Sequence, residues 1–339
     1  MIDVLVVGGG PIGLATALHA HDAGLRVEVL EARPGPIDKA CGVGLMPSAV
    51  GALARLGVDP QGVPLHGIRY VGGTRSAEAR FAHGPGRGVR RLELHAALAA
   101  AVAARAIPVY RERAERVLLH GDAVTVGSRR ARYLVGADGL HSTVRRAAGL
   151  DRPAAGSARY GLRRHYRVTP WTELIEVHWA EEAEAYLTPV GPGTVGVAVL
   201  TTRRGGWAEQ LERFPAVEAL LRGAEPASEV RGAGPLRQRA TAVARGRVAL
   251  VGDAAGYLDA ITGEGLSVGL AAAAELARCL GADRLADYPA AHRRVGRRAN
   301  ALTRVVLLAA QVPALRRAIV PTAAAFPVLY RSAVHLLGS

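Results

Sequence analysis

The stretch that most constrains the fold of this chain is its first, Ile2 to Pro34, reading IDVLVVGGGPIGLATALHAHDAGLRVEVLEARP. The run Val4 to Val7 is short, β-branched and ended by glycines, so it reads as a buried parallel strand rather than a helix. Gly8, Gly10 and Gly13 then fill a G-x-G-x-x-G pattern. In such a turn the first glycine permits the tight exit from the strand. The second lets the backbone approach a pyrophosphate, and the third lets the helix lie close on the sheet. The helix predicted from about Ile12 to Ala23 aims its N-terminal amides at that charge, and Gly24 closes it. A second strand, Arg26 to Leu30, delivers Glu31 at 21 residues after Gly10, where an acid accepts hydrogen bonds from an adenosine ribose. Strand, turn, helix, strand and acid in this order predict a dinucleotide site, with the dinucleotide still to be chosen.

The 339 residues allow two domains or one large one, and half of them are hydrophobic, so a sizeable core is available. The formal charge of +14 is carried by arginine, because Lys39 is the only lysine among 43 basic residues. These arginines are scattered through helical segments, with no basic tail and no aromatic-interleaved basic face. That pattern argues for solvated surface and against nucleic-acid binding, while still suiting an acidic partner or an anionic membrane surface. Cys41 and Cys279 are too few for a disulfide framework or a metal knuckle, which fits a reducing cytoplasm. With the nucleotide-binding strand at residue 2, no signal peptide is expected, and no apolar run reaches the ~18 residues of a transmembrane helix.

Further along, the glycine-bearing segment Asp38 to Pro47 is a close-approach loop containing Cys41, which reads as a small buried residue rather than a redox centre. Arg90 and Arg91 open a long Ala-rich helix to about Arg105, where positive charge opposes the helix dipole unless an anion lies nearby. Strands near Val109, from Arg116 to Leu119 and from Ala123 to Val126 read as a hairpin or meander. Another strand ends in Ala137-Asp138-Gly139, and Ser142 is placed to cap the next helix. From Tyr160 to Leu200 the pattern changes to four short strands, predicting an antiparallel sheet, covered by one helix at about Trp207 to Leu221. A strand from Arg247 to Val251 ends at Gly252-Asp253-Ala254-Ala255, and Thr262-Gly263-Glu264-Gly265 opens an Ala-rich helix to about Leu280. The tail, Leu302 to Leu337, is apolar, broken by three prolines and dotted with arginines. It reads either as helices that close the back of a pocket or as a membrane-surface contact.

The three motifs together, Gly8-x-Gly10-x-x-Gly13 with Glu31, the segment Gly136 to Arg145, and Gly252 to Ala255, resemble the FAD-dependent group that contains the para-hydroxybenzoate-hydroxylase-type aromatic monooxygenases and the geranylgeranyl reductases. The resemblance runs from residue 2 to about 285. It implies that Gly8, Gly10, Gly13 and Glu31, with Arg33 beside them, hold the ADP half of FAD. It further implies that Arg91 faces the cofactor, that Asp138 and Gly139 contact flavin and nicotinamide, and that Asp253 with Gly252 holds the ribityl chain. Cys41, Gly42, Gly263 and Gly265 complete the implied cofactor set, with the helix from Gly265 aimed at the flavin pyrimidine ring. The Asp259 to Gly265 and Lys39 to Gly42 segments look more like the reductase branch. Arg163 to Tyr166 and Glu184 to Val190 look like bacterial oxidoreductases found with type III polyketide (alkylresorcinol) pathways. A halogenase is set aside, because Trp171, Trp179 and Trp207 do not form W-x-W-x-I-P and Lys39 comes too early.

The implied fold is α/β: a Rossmann-like FAD-binding domain with a mixed sheet, an antiparallel-sheet substrate domain and C-terminal helices. The expected division assigns 1–69, 89–156 and 241–299 to the FAD-binding domain, 70–88 and 157–240 to the substrate domain, and 300–339 to a helical tail. The implied activity is hydroxylation of a phenolic, polyketide-type molecule with NADPH or NADH and oxygen, through a flavin C4a-hydroperoxide; the alternative is reduction of prenyl double bonds. Proton handling falls to Tyr186 or His165 on the antiparallel sheet, with His178 also available; for each a purely structural role is open. No metal is called for, the expected location is cytoplasmic, and the oligomeric state is open.

Overall fold

A computed structural model of the chain describes residues 2–42, 44–154 and 156–338. The chain opens with β1 (Ile2–Val7), α1 (Pro11–Asp22) and β2 (Val27–Leu30), followed by α2 (Pro47–Arg55). β1 pairs in parallel with β2, with Val4 opposite Val27. Its side chains alternate between two cores: Val4 and Val6 pack with α1 and the later helices, while Leu5 and Val7 pack on the other face. Burial on both faces is why this strand is written as an unbroken apolar run.

Two longer strands, β3 (Gly67–Gly72) and β4 (Arg75–Arg80), pair antiparallel and leave the first sheet for the second. The helix α3 (Arg91–Ala104) returns to the first sheet, where β5 (Val109–Tyr110) pairs in parallel with β2. The strand at Val109 is therefore not part of the hairpin expected from its spacing. The antiparallel meander is β6 (Val117–Leu119), β7 (Val124–Val126) and β8 (Arg129–Gly136). β8 then runs parallel to β1, making the first sheet mixed. After α4 (Thr143–Ala147), the strands β9 (Tyr160–Arg167), β10 (Ile175–Ala180), β11 (Ala183–Gly191) and β12 (Thr194–Thr201) form the second sheet. Its pairs are antiparallel except β10 with β3. The single covering helix expected next is two, α5 (Trp207–Leu211) and α6 (Pro215–Leu220), because Pro215 starts a new helix at its first turn.

β13 (Val248–Leu250) returns parallel to β8 and leads through a short turn into α7 (Gly265–Gly281), which packs beside α1. The chain ends with α8 (Tyr288–Gln311), α9 (Pro313–Ala325) and α10 (Pro327–Gly338). Two expected boundaries fall inside elements: residue 69/70 lies within β3, and residue 299/300 lies within α8, which runs unbroken for 24 residues. Tyr330, Val334 and Leu337 of α10 pack on Ile68, Ala77 and Ala79 of β3 and β4, and the Tyr330 hydroxyl donates to the Ile68 carbonyl at 3.1 Å.

A buried charge network locks the C-terminal helices to the second sheet. Arg316 of α9 donates to Glu184 at 2.6 Å and to the carbonyls of Ala180, Ala183 and Ala310. Arg159 bonds the other oxygen of Glu184 and pairs with Asp259 at 3.2 Å. Glu184 is completely buried, so removing its charge strands two guanidinium groups away from water. Glu184→Gln is expected to lower unfolding stability by about 3 kcal/mol in urea denaturation, the usual size for a buried pair deprived of one partner.

Candidate functional site

One large cleft, open at its mouth, lies between the two sheets and α7.

Its floor is the glycine turn. Gly8 adopts φ +110°, and a Cβ there would overlap the Ala137 carbonyl; a Cβ on Gly13 would fall on the Gly8 carbonyl oxygen. These two glycines let β1, α1 and the Ala137 turn meet backbone to backbone. Gly10 differs, because a Cβ built there meets nothing within 4 Å and the residue faces the open cleft with Pro11 and Ile12. The first turn of α1 thus presents its amides to empty space, an arrangement suited to a phosphate group. Glu31 is not among the lining residues. Its carboxylate accepts from the Gly9 amide at 2.8 Å and from the Arg33 side chain and amide at 2.9–3.0 Å. Burial would raise the Glu31 pKa, yet the Arg33 contacts and the Gly9 amide hold it below the ordinary value. Arg33 lies outside the cleft wall with it, and both brace the loop that the glycines shape.

Lys39, Arg91 and Asp253 line the same cleft as the turn. Asp253 is pushed up by burial and pulled down by Lys39 and Arg91, while Lys39 is pushed down by burial and by Arg33, against Asp253. The Arg91 Nε is buried with no hydrogen-bond partner among the described residues. A half-buried cation with an idle donor in the cleft wall is what a bound anionic group would complete. Lys39, set aside on sequence position, is therefore a wall residue beside Gly139. Cys41 and Gly42 also line the cleft, and Cys41 is half-buried rather than packed in the core, whereas Cys279 is the buried cysteine.

Asp138 has a different task from its neighbour Gly139, which does line the wall. One Asp138 oxygen accepts from the Thr143 amide at 2.6 Å, the Thr143 hydroxyl at 2.8 Å and the Val144 amide at 3.2 Å, capping α4. Ser142 caps the same helix by accepting from the Arg145 amide at 2.9 Å. Arg145, 1% exposed, then joins the two remaining motifs. It donates to the carbonyl of Leu140 at 2.9 Å and to that of Ala254 at 3.1 Å, so the Gly139 turn and the Gly252–Ala255 turn are fixed together. Gly252, Asp253, Gly263 and Gly265 all face the cleft, with the first turn of α7 behind them.

The far part of the cleft is apolar, with Met46, Ile68, Ile175, Val177 and Leu337 lining it as one packed cluster. Tyr186 lines it too, but its hydroxyl donates to the Ile261 carbonyl at 2.7 Å, and burial pushes its pKa well up. It holds the Ile261 loop in place. His165 is buried behind the wall, sharing Nδ1 with Ser228 at 3.0 Å and Arg163 at 3.1 Å. Burial, then Arg163 and Arg90, push it down to about 4, so it is a neutral and weakly basic ring. His178 faces Glu176 at 3.3 Å and does not line the cleft. Wall residues not foreseen include Tyr70 and Tyr257, which no local motif marks, while Arg163 and Thr188 lie in segments singled out for likeness but without a role.

The sequence profile of the FAD binding domain family matches residues 1–285. The chain is 30% identical over 326 residues to the menaquinone reductase of Mycolicibacterium smegmatis, covering 85% of this chain and 78% of that protein. It is also 30% identical over 320 residues to the para-nitrophenol 4-monooxygenase of a Pseudomonas species, covering 82% and 77%. Among solved structures, the p-nitrophenol 4-monooxygenase of Pseudomonas putida superposes with a TM-score of 0.84 at 22% identity, over 100% of this chain and 98% of that one. The chain belongs to the FAD-binding-domain family: it is an FAD-dependent oxidoreductase of the aromatic-hydroxylase superfamily, for which NAD(P)H is the typical reductant.

Gly10 has φ −72° and ψ 173°, accessible to alanine. Gly10→Ala is expected to leave unfolding stability within about 0.5 kcal/mol while weakening FAD binding about 10-fold or more in a fluorescence titration, whereas Gly13→Ala lowers both. A second expectation concerns Glu264, which stands at the start of α7, is 8% exposed and has one oxygen without a partner. Burial pushes it from 4.5 up to about 7, against a hydrogen bond with Thr262. The folded protein then binds more protons than the unfolded chain between these values, so this contribution is full below pH 4.5 and lost as pH rises through 7. Glu264→Gln should flatten the stability profile of the protein across that window.

Proposed function

We propose that this oxidoreductase hydroxylates a phenolic ring that carries an apolar substituent, of polyketide type, using NAD(P)H and oxygen. The observation that carries this reading is the division of one cleft into an anion-receptive half at Gly10, Lys39, Arg91 and Asp253 and an apolar half at Met46, Ile68, Ile175, Val177 and Leu337. The likeness to a para-nitrophenol 4-monooxygenase along most of both chains supports it.

FAD, when bound, supplies the transfer of reducing equivalents to oxygen. The protein holds it. In this reading the α1 amides beside Gly10 take the pyrophosphate, with Gly8 and Gly13 setting the backbone and Glu31 and Arg33 bracing the turn. Arg91 and Lys39 supply positive charge, and Asp253 accepts from the ribityl hydroxyls. Gly139, Cys41 and Gly42 form the surrounding wall, and the first turn of α7 at Gly265 faces the ring that gains negative charge on reduction. The apolar half excludes water and orients the substrate ring. Tyr70 lines that half, and burial pushes its pKa up to about 12, so at neutral pH it remains a hydroxyl donor. A phenolate oxygen is its complement. Tyr186 and the loop at Ile261 then act as the rigid seat of the reacting face, and His165 supports Arg163 from behind.

A second reading, reduction of a prenyl double bond, is favoured by the reach of the apolar half to Leu337 on the last helix and by the likeness to a menaquinone reductase. Incubation of the FAD-loaded protein with NAD(P)H and a panel of alkylresorcinols, nitrophenols and prenylated quinones separates the two by product mass. Gain of one oxygen atom, lost without air, is expected; gain of two hydrogens that persists without air overturns hydroxylation. With the phenolic substrate found, Tyr70→Phe should lower kcat by roughly 10- to 100-fold with little change in FAD content, the usual scale for a hydrogen bond to a charged group.

A further inference from the structure

The last three helices carry a surface that neither the cleft nor the core uses. Among the described residues of α8 to α10 there is no aspartate or glutamate, and eight arginines. Arg316 is consumed by Glu184 and Arg294 lies 3.6 Å from Glu275. Arg293, Arg297, Arg298, Arg304, Arg317 and Arg331 are exposed and form no ion pair among the described residues. Between them lie large exposed apolar side chains. Val305, Leu308, Val312 and Leu315 follow one another at three- and four-residue steps around the corner where α8 turns into α9 by 118°. Phe326, Val328 and Leu329, each more than half exposed, form the next corner, between α9 and α10. Between the corners α9 is 13 residues long, about 20 Å of helix. No single helix among the described residues is long and apolar enough to cross a membrane.

We propose that α9 and its two corners are a docking face for an anionic phospholipid surface. An in-plane helix with apolar corners and flanking cations is the chemistry that enters a headgroup region, where each basic residue near the surface adds attraction and each apolar side chain adds burial. Charge decides between this partner and a second copy of the chain. A two-fold dimer through this face would set Arg304, Arg317 and Arg331, which form no ion pair among the described residues, against their own duplicates, whereas lipid phosphates neutralise each of them. The same helix that offers Val328 and Leu329 outward sends Tyr330, Val334 and Leu337 inward, and Leu337 reaches the cleft wall. One helix therefore separates the bilayer from the apolar half of the site. The inference stands on this surface alone and is independent of the reaction assigned to the cleft.

The test is sedimentation of the full-length, FAD-loaded protein with vesicles of phosphatidylglycerol and phosphatidylcholine, against vesicles of phosphatidylcholine alone, with light scattering of the protein without lipid. Co-sedimentation with the anionic vesicles at roughly 0.1 M salt and release at about 1 M, where screening is nearly complete, is expected. Phe326→Ser with Val328→Ser and Leu329→Ser should weaken that binding about 10-fold, as should Arg317→Gln with Arg331→Gln, both at unchanged flavin absorbance. The proposal falls if the protein stays in the supernatant with both vesicles, binds both equally, or is unaffected by both variants. It also falls if light scattering shows a dimer that the triple variant dissolves. None of these readouts involves turnover, so they leave the hydroxylase and reductase readings untouched.

Discussion

Two stretches of backbone touching without side chains between them are the contact on which the cleft depends. Gly13 at the first turn of α1 lies against the Gly8 carbonyl, and Gly8 lies against Ala137 at the end of β8. Each missing Cβ brings a helix N-terminus closer to the parallel strands, and the helix dipole is useful only at such short range. The second helix end is delivered in the same way: Gly252 and Gly269 both sit against Ile12, so α7 lies along α1 and the two helices share one core. The adjacent helices converge because small residues let them.

Charges buried away from solvent do the remaining positioning. Arg145 has no open face, and its guanidinium hydrogen bonds run to the turns that carry Gly139 and Ala254 or to Asp151 and Gln238. Arg159 and Arg316 do for the second sheet and the C-terminal helices what Arg145 does for the first, with Glu184 as the common acceptor. Asp259, at the far end of that chain of pairs, accepts from the Ile261 amide at 3.0 Å, and Tyr186 donates to the carbonyl of the same residue. The loop before α7 is thus gripped at both polar groups of one peptide residue. An arginine-rich composition, which looked like surface charge in the sequence, is in these places internal scaffolding.

What could be read from sequence was what is encoded locally. The Gly8–Gly13 turn, the antiparallel sheet from Tyr160 and the Ser142 cap all depend on neighbours within a few residues or on a two-residue period. The roles of Asp138 and Glu31 were harder, because an acid beside a glycine turn can face either a ligand or a nearby amide, and here both carboxylates bond to their own loops. His165 looked reactive by residue type, yet its burial, its bond to Ser228 63 residues away and the charge of Arg90 from another segment come from packing, and only Arg163 is a neighbour in sequence. Tyr70 and Tyr257 reach the cleft from two separate segments, and nothing within either segment marks them. The strand at Val109 misled because parallel partners lie far away in sequence and leave no turn between them.

Lys39 has a further consequence that follows from its solitude. It is the sole side-chain amine in 339 residues, it stands in the cleft wall, and burial lowers its pKa toward the range where an amine is nucleophilic. An amine-selective acylating reagent therefore meets one side-chain amine, located where cofactor and substrate compete for space. The protein carries its own reporter of occupancy, readable as the mass increment on the peptide that contains Lys39, and an immobilisation chemistry that relies on several surface lysines has none to grasp.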